Sequence, residues 1–182
     1  MTNQSFKAKQ WLAWKEHLLK RDYPDINEDR IRSVRNGGEV KLNQKWFVDG
    51  FDPCDPNTKR PTVYEFHGCL WHGCTSCFPN YRSNHPVAKG DRSLRELREC
   101  TSNKEEALRQ KGYDVITMWE CQWDHEVKQN PDLKAFLDTF EDVEPLNPRE
   151  AFFGGRTNAV SKQGPKGELF NIHKRKTTEL VS

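Results

Sequence analysis

The sequence contains no long apolar run, and no segment approaches the roughly 20 apolar residues that a membrane-spanning helix requires. It also lacks a charged N-terminal segment followed by an apolar stretch, which would indicate secretion. Only 34% of its 182 residues are hydrophobic and 31% are charged, so part of the chain is expected to be solvated tail. These shortages predict an intracellular protein, cytosolic or nuclear, with no membrane partner.

An excess of one charge is also missing. The chain has 29 lysines and arginines against 27 aspartates and glutamates, which leaves a net charge of +2. Total charge therefore does not identify a nucleic-acid-binding protein, although basic residues cluster locally. The oligomeric state is left open by the sequence.

Hydrophobic periodicity and turn residues divide the first 143 residues into helices and strands. Apolar residues recur at helical spacing after Ser5, within residues 91–111 and after Pro131, which predicts three helices. Strand-like stretches cover residues 39–42, 45–51, 62–67 and 113–119, and the first two are expected to form a hairpin. The order helix, three strands, helix, strand, helix predicts an α/β fold with a mixed central sheet flanked by helices.

Six cysteines without a secretion signal favour metal ligands or free thiols over disulfides. Cys69, Cys74 and Cys77 lie within nine residues, and structural zinc takes four nitrogen or sulfur ligands in a tetrahedron. Cys121 follows a predicted strand and is the expected fourth ligand, with His72 as the competing one. The cysteines expected to be ordinary thiols are Cys54 and Cys100.

Acidic residues and histidines on neighbouring predicted strands indicate a second site. Asp49 lies on the second strand, and Glu65 and His67 share one face of the third because strand side chains alternate. Two carboxylates can hold Mg²⁺ against a phosphodiester, with His67 or His72 as the base. A lysine is the usual third element of nucleases with such a sheet, and a histidine in its place would make activity pH-sensitive. Whether Glu39 or Glu120 joins the cluster is left open.

Residues 47–49, 64–72 and 112–121 resemble the very-short-patch DNA mismatch repair endonucleases. The resemblance implies the restriction-endonuclease-like PD-(D/E)XK fold, Mg²⁺ at Asp49, phosphate chemistry at His67 and His72, and zinc at the positions of Cys69 and Cys121. That family has a threonine where Phe66 stands and a histidine zinc ligand near Cys74. Trp71 resembles an aromatic residue that lies close to DNA in that family, with simple core packing as the alternative.

Composition shifts beyond Pro145 toward glycine, lysine, asparagine and threonine, which predicts a boundary between a domain of residues 1–143 and a segment of residues 144–182. In that segment Gly154, Gly155 and Arg156 would let the backbone approach DNA phosphates while the guanidinium binds one. A basic tail is expected to follow this motif.

Residues 152–158, together with residues 35–39, 48–52 and 64–77, resemble the protein-primed family B DNA polymerase of Polinton or Maverick transposons. The resemblance implies that residues 152–155 match its Tyr-x-Gly-Gly motif, which contacts single-stranded DNA. No palm-domain aspartate motif follows Asn158, so the chain is expected to be a truncated copy that retains the nuclease-like region. The favoured hypothesis is a Mg²⁺-dependent DNA endonuclease module. The alternatives are a non-catalytic DNA-binding fragment of a DNA polymerase and a decayed reading frame without activity.

Overall fold

The computed structural model of the protein describes residues 4–25, 30–37, 40–79 and 92–142. Within these ranges the chain forms four helices and six strands. In chain order they are α1 (Phe6–Asp22), β1 (Arg32–Ser33), β2 (Val40–Leu42), β3 (Trp46–Val48), β4 (Gly50–Asp52), β5 (Thr62–His67), α2 (Leu94–Gln110), β6 (Asp114–Trp119), α3 (Glu120–Gln129) and α4 (Pro131–Asp138).

The main sheet has the strand order β1-β4-β5-β6. Its first two pairings are antiparallel, whereas β5 and β6 are parallel and are connected through α2. A second, two-stranded sheet consists of the antiparallel hairpin β2–β3. The prediction of a mixed α/β fold with helices against a mixed sheet is therefore confirmed.

Strand β5 is buried on both faces, and its alternating side chains divide between two layers. Tyr64 and Phe66 join an apolar cluster with Trp11 of α1 and Trp123 of α3. Val63 packs in a second cluster with Leu108 of α2. Glu65 and His67 share the face of Val63, so both side chains point toward α2.

Helix α2 begins at a capping box, in which the Ser93 hydroxyl accepts from the Glu96 N–H and the Glu96 carboxylate accepts from the Ser93 N–H. Gly112, with φ +89°, follows its C-terminus and turns the chain into β6. The described residues include no helix that is long and apolar enough to span a membrane.

The structure differs from the predicted element order in three places. The predicted strand over 45–51 is two strands, because a bend at Asp49 separates β3 from β4. The short strand β1 and the helix α3 were not predicted. The segment that forms α3 contains Trp123 as its one buried residue, so it lacks the repeated apolar spacing that marks an amphipathic helix.

Candidate metal centre and acidic cleft

The ends of two parallel strands bring Cys69 and Cys121 together. The last residue pair of β5 and β6 is His67 with Trp119, and each cysteine lies two residues beyond its strand. Parallel strands end at the same edge of a sheet, which explains why residues 52 positions apart meet. The backbone N–H of Cys121 donates to Sγ of Cys69 at 3.3 Å.

A chain of turns after β5 supplies the other two cysteines. The N–H of Cys74 donates to the Cys69 carbonyl at 2.9 Å, and that of Phe78 donates to the Cys74 carbonyl at 2.9 Å. Gly73, which directly precedes Cys74, has φ +66°, a left-handed conformation that favours glycine. A Cβ atom at Gly73 would lie 2.1 Å from the Leu94 carbonyl oxygen, so this turn packs directly against the start of α2.

The sulfur atoms of the four cysteines all lie within 4.8 Å of one another, and Cys74 Sγ is 3.9 Å from Cys121 Sγ. Four thiolates around zinc at a Zn–S distance of about 2.3 Å would be separated by about 3.8 Å, so this donor set suits such an ion. The four-cysteine cluster (Cys69, Cys74, Cys77 and Cys121) could therefore hold a metal such as zinc. The expected ordinary thiols, Cys54 and Cys100, are exposed and lie outside it.

The competing ligand His72 is engaged elsewhere. Its Nδ1 lies 3.1 Å from the Thr101 hydroxyl of α2, and its ring centroid is 4.8 Å from that of His67. Glu120 lies beside the four-cysteine cluster: its carboxylate accepts from the Cys69 N–H at 3.2 Å and pairs with Lys7 at 2.9 Å. Glu120 does not line the cleft that contains Asp49 and Glu65.

The thiols of the cluster differ in acidity. Burial raises the pKa of Cys69 above its usual range, and burial together with neighbouring thiols raises the pKa of Cys77 to about 11. Burial acts in the same direction on Cys74, but the backbone N–H groups of Cys77 and Ser76 outweigh it and lower its pKa. Cys74 therefore ionises more readily than Cys69 or Cys77.

Asp49 lies at the bend between β3 and β4. Continuing the β4–β5 register by one residue places it opposite Glu65. Its Oδ2 accepts from the Phe66 N–H at 2.8 Å, and its Oδ1 lies 3.4 Å from the side-chain amide of Gln4. Burial raises the pKa of Asp49, although this hydrogen bond and the charge of Lys104 oppose the rise.

Glu65 is buried in the middle of β5 and is paired with a lysine from α2. Lys104 Nζ lies 2.7 Å from Oε1 and 2.8 Å from Oε2 of Glu65, and it donates to the Phe47 carbonyl at 2.7 Å. Burial, together with the charges of Asp49 and Glu105, raises the pKa of Glu65 to about 7 against the opposing effect of Lys104. When no metal ion is bound beside Lys104, the Glu65 carboxyl is therefore partly protonated near pH 7.

His67 is only 1% exposed and is held by α2. Its Nε2 lies 2.9 Å from Oε1 of Glu105, while no hydrogen-bond partner reaches its buried Nδ1 among the described residues. The hydrogen bond from His67 lowers the pKa of Glu105. Burial, together with electrostatic effects of His67 and Lys104, lowers the pKa of His72 to about 4, so His72 is neutral at physiological pH.

Asp49 and Glu65 lie in the wall of an open cleft with a volume of about 780 Å³, the acidic cleft. Its walls include Asp49, Glu65, His72 and Lys104, together with the rings of Phe47 and Trp71. Trp71 is 57% exposed, so the core-packing alternative for this residue is wrong. His67 lines a smaller adjoining hollow of about 240 Å³ that also contains Glu65, His72 and Lys104.

Sequence reasoning did not include Lys104 or Glu105 in the site. A signal was present, because helical spacing from the buried Leu94 through Thr101 to Leu108 puts positions 104 and 105 on the inward face of α2. Charged residues at inward positions indicate partners across the interface. Three sets of predicted residues lie outside the described part of the chain: the DNA contacts Gly154, Gly155 and Arg156, the whole segment 144–182, and Glu39.

No protein-family model, no curated protein and no solved structure matches this chain. Its function therefore has to be argued from the site.

Proposed function

We propose that this protein is a metal-dependent DNA endonuclease module with a restriction-endonuclease-like fold and a zinc-bound knuckle. The observation that carries the proposal is the grouping of Asp49, Glu65 and Lys104 in one open cleft. Two carboxylates and a lysine are the groups that metal-assisted phosphodiester hydrolysis uses. The resemblance of residues 47–49 and 64–72, which include Asp49 and Glu65, to very-short-patch repair endonucleases supports this chemistry.

In the proposed reaction Asp49 and Glu65 would hold Mg²⁺. When bound there, the ion would supply Lewis-acid chemistry, which neutralises charge on a phosphate and lowers the pKa of water. Lys104 lies 2.7 Å from Glu65, where its charge favours the ionised carboxylate and can balance the charge of the phosphate. His72 is neutral and lies at the cleft wall, so it can accept a proton from the attacking water. His67 is the alternative base, but its Nε2 is engaged by Glu105.

Zinc in the four-cysteine cluster supplies structural stability in this proposal. The cluster directly follows β5, so it fixes the end of the strand that carries Glu65 and His67. The relation to a transposon-type DNA-directed DNA polymerase remains a prediction from the sequence.

The test is nicking of supercoiled plasmid by zinc-loaded protein with Mg²⁺ or Mn²⁺. Asp49→Asn and Glu65→Gln should each reduce the nicking rate by about 100-fold or more, because each removes a proposed metal ligand. Glu99→Gln is the matched control, since Glu99 is an exposed glutamate of α2 that pairs only with Arg95 in the described part of the chain. Nicking that survives Asp49→Asn unchanged would refute the assigned site.

A second candidate is a non-catalytic DNA-binding module. It is favoured by the fact that protein groups already satisfy both acids: the Phe66 N–H and Gln4 contact Asp49, and Lys104 contacts Glu65. DNA binding without nicking, with every divalent metal tested, would establish this alternative and overturn the endonuclease.

A further inference from the structure

The hairpin β2–β3 has one face in the core and one in solvent. Val40 pairs with Val48 and Leu42 pairs with Trp46, and these four side chains contribute to the apolar cluster beneath α2. Between them Lys41 pairs directly with Phe47, and both are exposed. Phe47 is 53% exposed although its neighbour Val48 is buried. The hairpin therefore presents an aromatic ring and a cation side by side.

Three ammonium groups surround the aromatic rings of this hairpin. Lys41 Nζ lies 5.1 Å from the centroid of Phe47, and Lys45 and Lys111 lie 4.7 Å and 5.8 Å from that of Trp46. No ion pair of the described residues includes any of these three lysines. Within the described part of the chain no carboxylate neutralises their positive charge, which can therefore attract an anionic partner.

This basic and aromatic face is continuous with the acidic cleft. Phe47 itself lines the cleft, and β3 leads directly into Asp49. The Phe47 carbonyl accepts a hydrogen bond from Lys104, the lysine that pairs with Glu65. A ligand on the Phe47 ring would therefore lie next to the acid pair.

We infer that the outer face of the β2–β3 hairpin binds an unpaired DNA strand and guides it into the cleft. A base stacks on Phe47, and Lys41 and Lys45 contact the phosphates beside it. Unpaired bases offer a free face to an aromatic ring, whereas bases within a duplex have both faces covered by their neighbours. This inference rests on the proposed function for the identity of the strand as substrate, but binding itself does not require cleavage.

Fluorescence anisotropy with a labelled single-stranded oligonucleotide tests the inference. Ca²⁺ replaces Mg²⁺ and no chelator is added, so that binding is measured apart from cleavage and any zinc is retained. Phe47→Leu should raise Kd by about fivefold or more, because stacking on an aromatic ring is lost, and Phe47→Trp should restore affinity. Phe6→Leu is the matched control, since Phe6 is also 53% exposed but does not line the cleft.

The lysines are tested by the salt dependence of the same measurement. Lys41→Ala with Lys45→Ala should reduce the slope of log K against log salt by about 1.4, because two phosphate contacts to a single strand are lost. The pair Lys128→Ala with Lys134→Ala removes the same charge from α3 and α4 and should leave the slope unchanged. A duplex of the same sequence should bind several-fold more weakly than the single strand.

Equal Kd values for Phe47→Leu and Phe6→Leu, or equal binding of duplex and single strand, would overturn the inference. Its failure is distinguishable from that of the proposed endonuclease. Strand binding that depends on Phe47 without plasmid nicking would refute only the endonuclease, whereas nicking without that dependence would refute only the strand-binding face.

Discussion

Lys104 Nζ lies 2.7 Å from Oε1 of Glu65, although the two residues are 39 positions apart and belong to a helix and a strand. The pairing compensates a carboxylate whose side chain is only 5% exposed. It also connects α2 to the strand at the centre of the cleft. Several consequences of this relationship and of the four-cysteine cluster can be measured.

Removal of the lysine charge should destabilise the fold. Lys104→Met leaves Glu65 buried without a partner, and we expect the free energy of unfolding to fall by about 1–3 kcal/mol, since Lys104 itself is partly exposed. Urea unfolding measures this change. The double variant Lys104→Met with Glu65→Gln should recover part of the loss, whereas strictly additive effects would show that the two groups do not interact.

Stability of the Mg²⁺-free protein should depend on pH through Glu65. Its pKa rises from 4.5 in the unfolded chain to about 7 in the fold, so the folded state holds the proton more tightly. The contribution of this group is fully present below pH 4.5 and is lost as pH rises through 7. The loss is about 3 kcal/mol at most.

Glu65→Gln should remove that dependence, because glutamine resembles the protonated acid at every pH. The wild type should therefore lose stability relative to Glu65→Gln as pH rises from 4.5 to above 7. Parallel curves for the two proteins in urea titrations would contradict the raised pKa.

Zinc should be required for folding. Mass spectrometry of the purified, reduced protein should find one zinc per chain, and Cys121→Ser should lose the metal and the cooperative unfolding transition. Cys54→Ser and Cys100→Ser are the controls, because both cysteines are exposed and lie outside the cluster. A Cys121→Ser protein that melts like the wild type would show that the cluster is not a structural metal site.

Alanine at Gly73 should damage the metal centre. The new Cβ would lie 2.1 Å from the Leu94 carbonyl oxygen and would also require a left-handed backbone at φ +66°. Gly112→Ala separates the two effects, because Gly112 has φ +89° and open space around it. Gly112→Ala should cost about 1–2 kcal/mol from backbone strain alone, and Gly73→Ala should cost clearly more and reduce the zinc content. Equal melting temperatures would contradict the close packing at Gly73.

Features that are encoded in a short stretch of sequence could be predicted from the sequence alone. The β-branched and aromatic run of β5, the apolar stripe of α2 and the close spacing of Cys69, Cys74 and Cys77 are each visible in a short window. Cys121 could be joined to them because it follows a predicted strand, and strands in a sheet are brought side by side.

Other parts of the site depend on long-range contacts and could not be predicted in the same way. The helical spacing of α2 places Lys104 on the inward face, but only the packing of α2 against β5 identifies Glu65 as its partner. The exposed cation and ring of Lys41 and Phe47 were likewise missed, because their cross-strand pairing depends on the turn at Asn43 and Gln44, which both have positive φ.

The contact of Gly73 with Leu94 has a mechanical consequence for the whole site. Leu94 and Lys104 belong to one continuous helix and are separated by about 15 Å along its axis at the usual rise per residue. The turn before Cys74 therefore contacts the same helix that carries Lys104. The four-cysteine cluster and the lysine beside Glu65 share one structural support, although they lie at different ends of it.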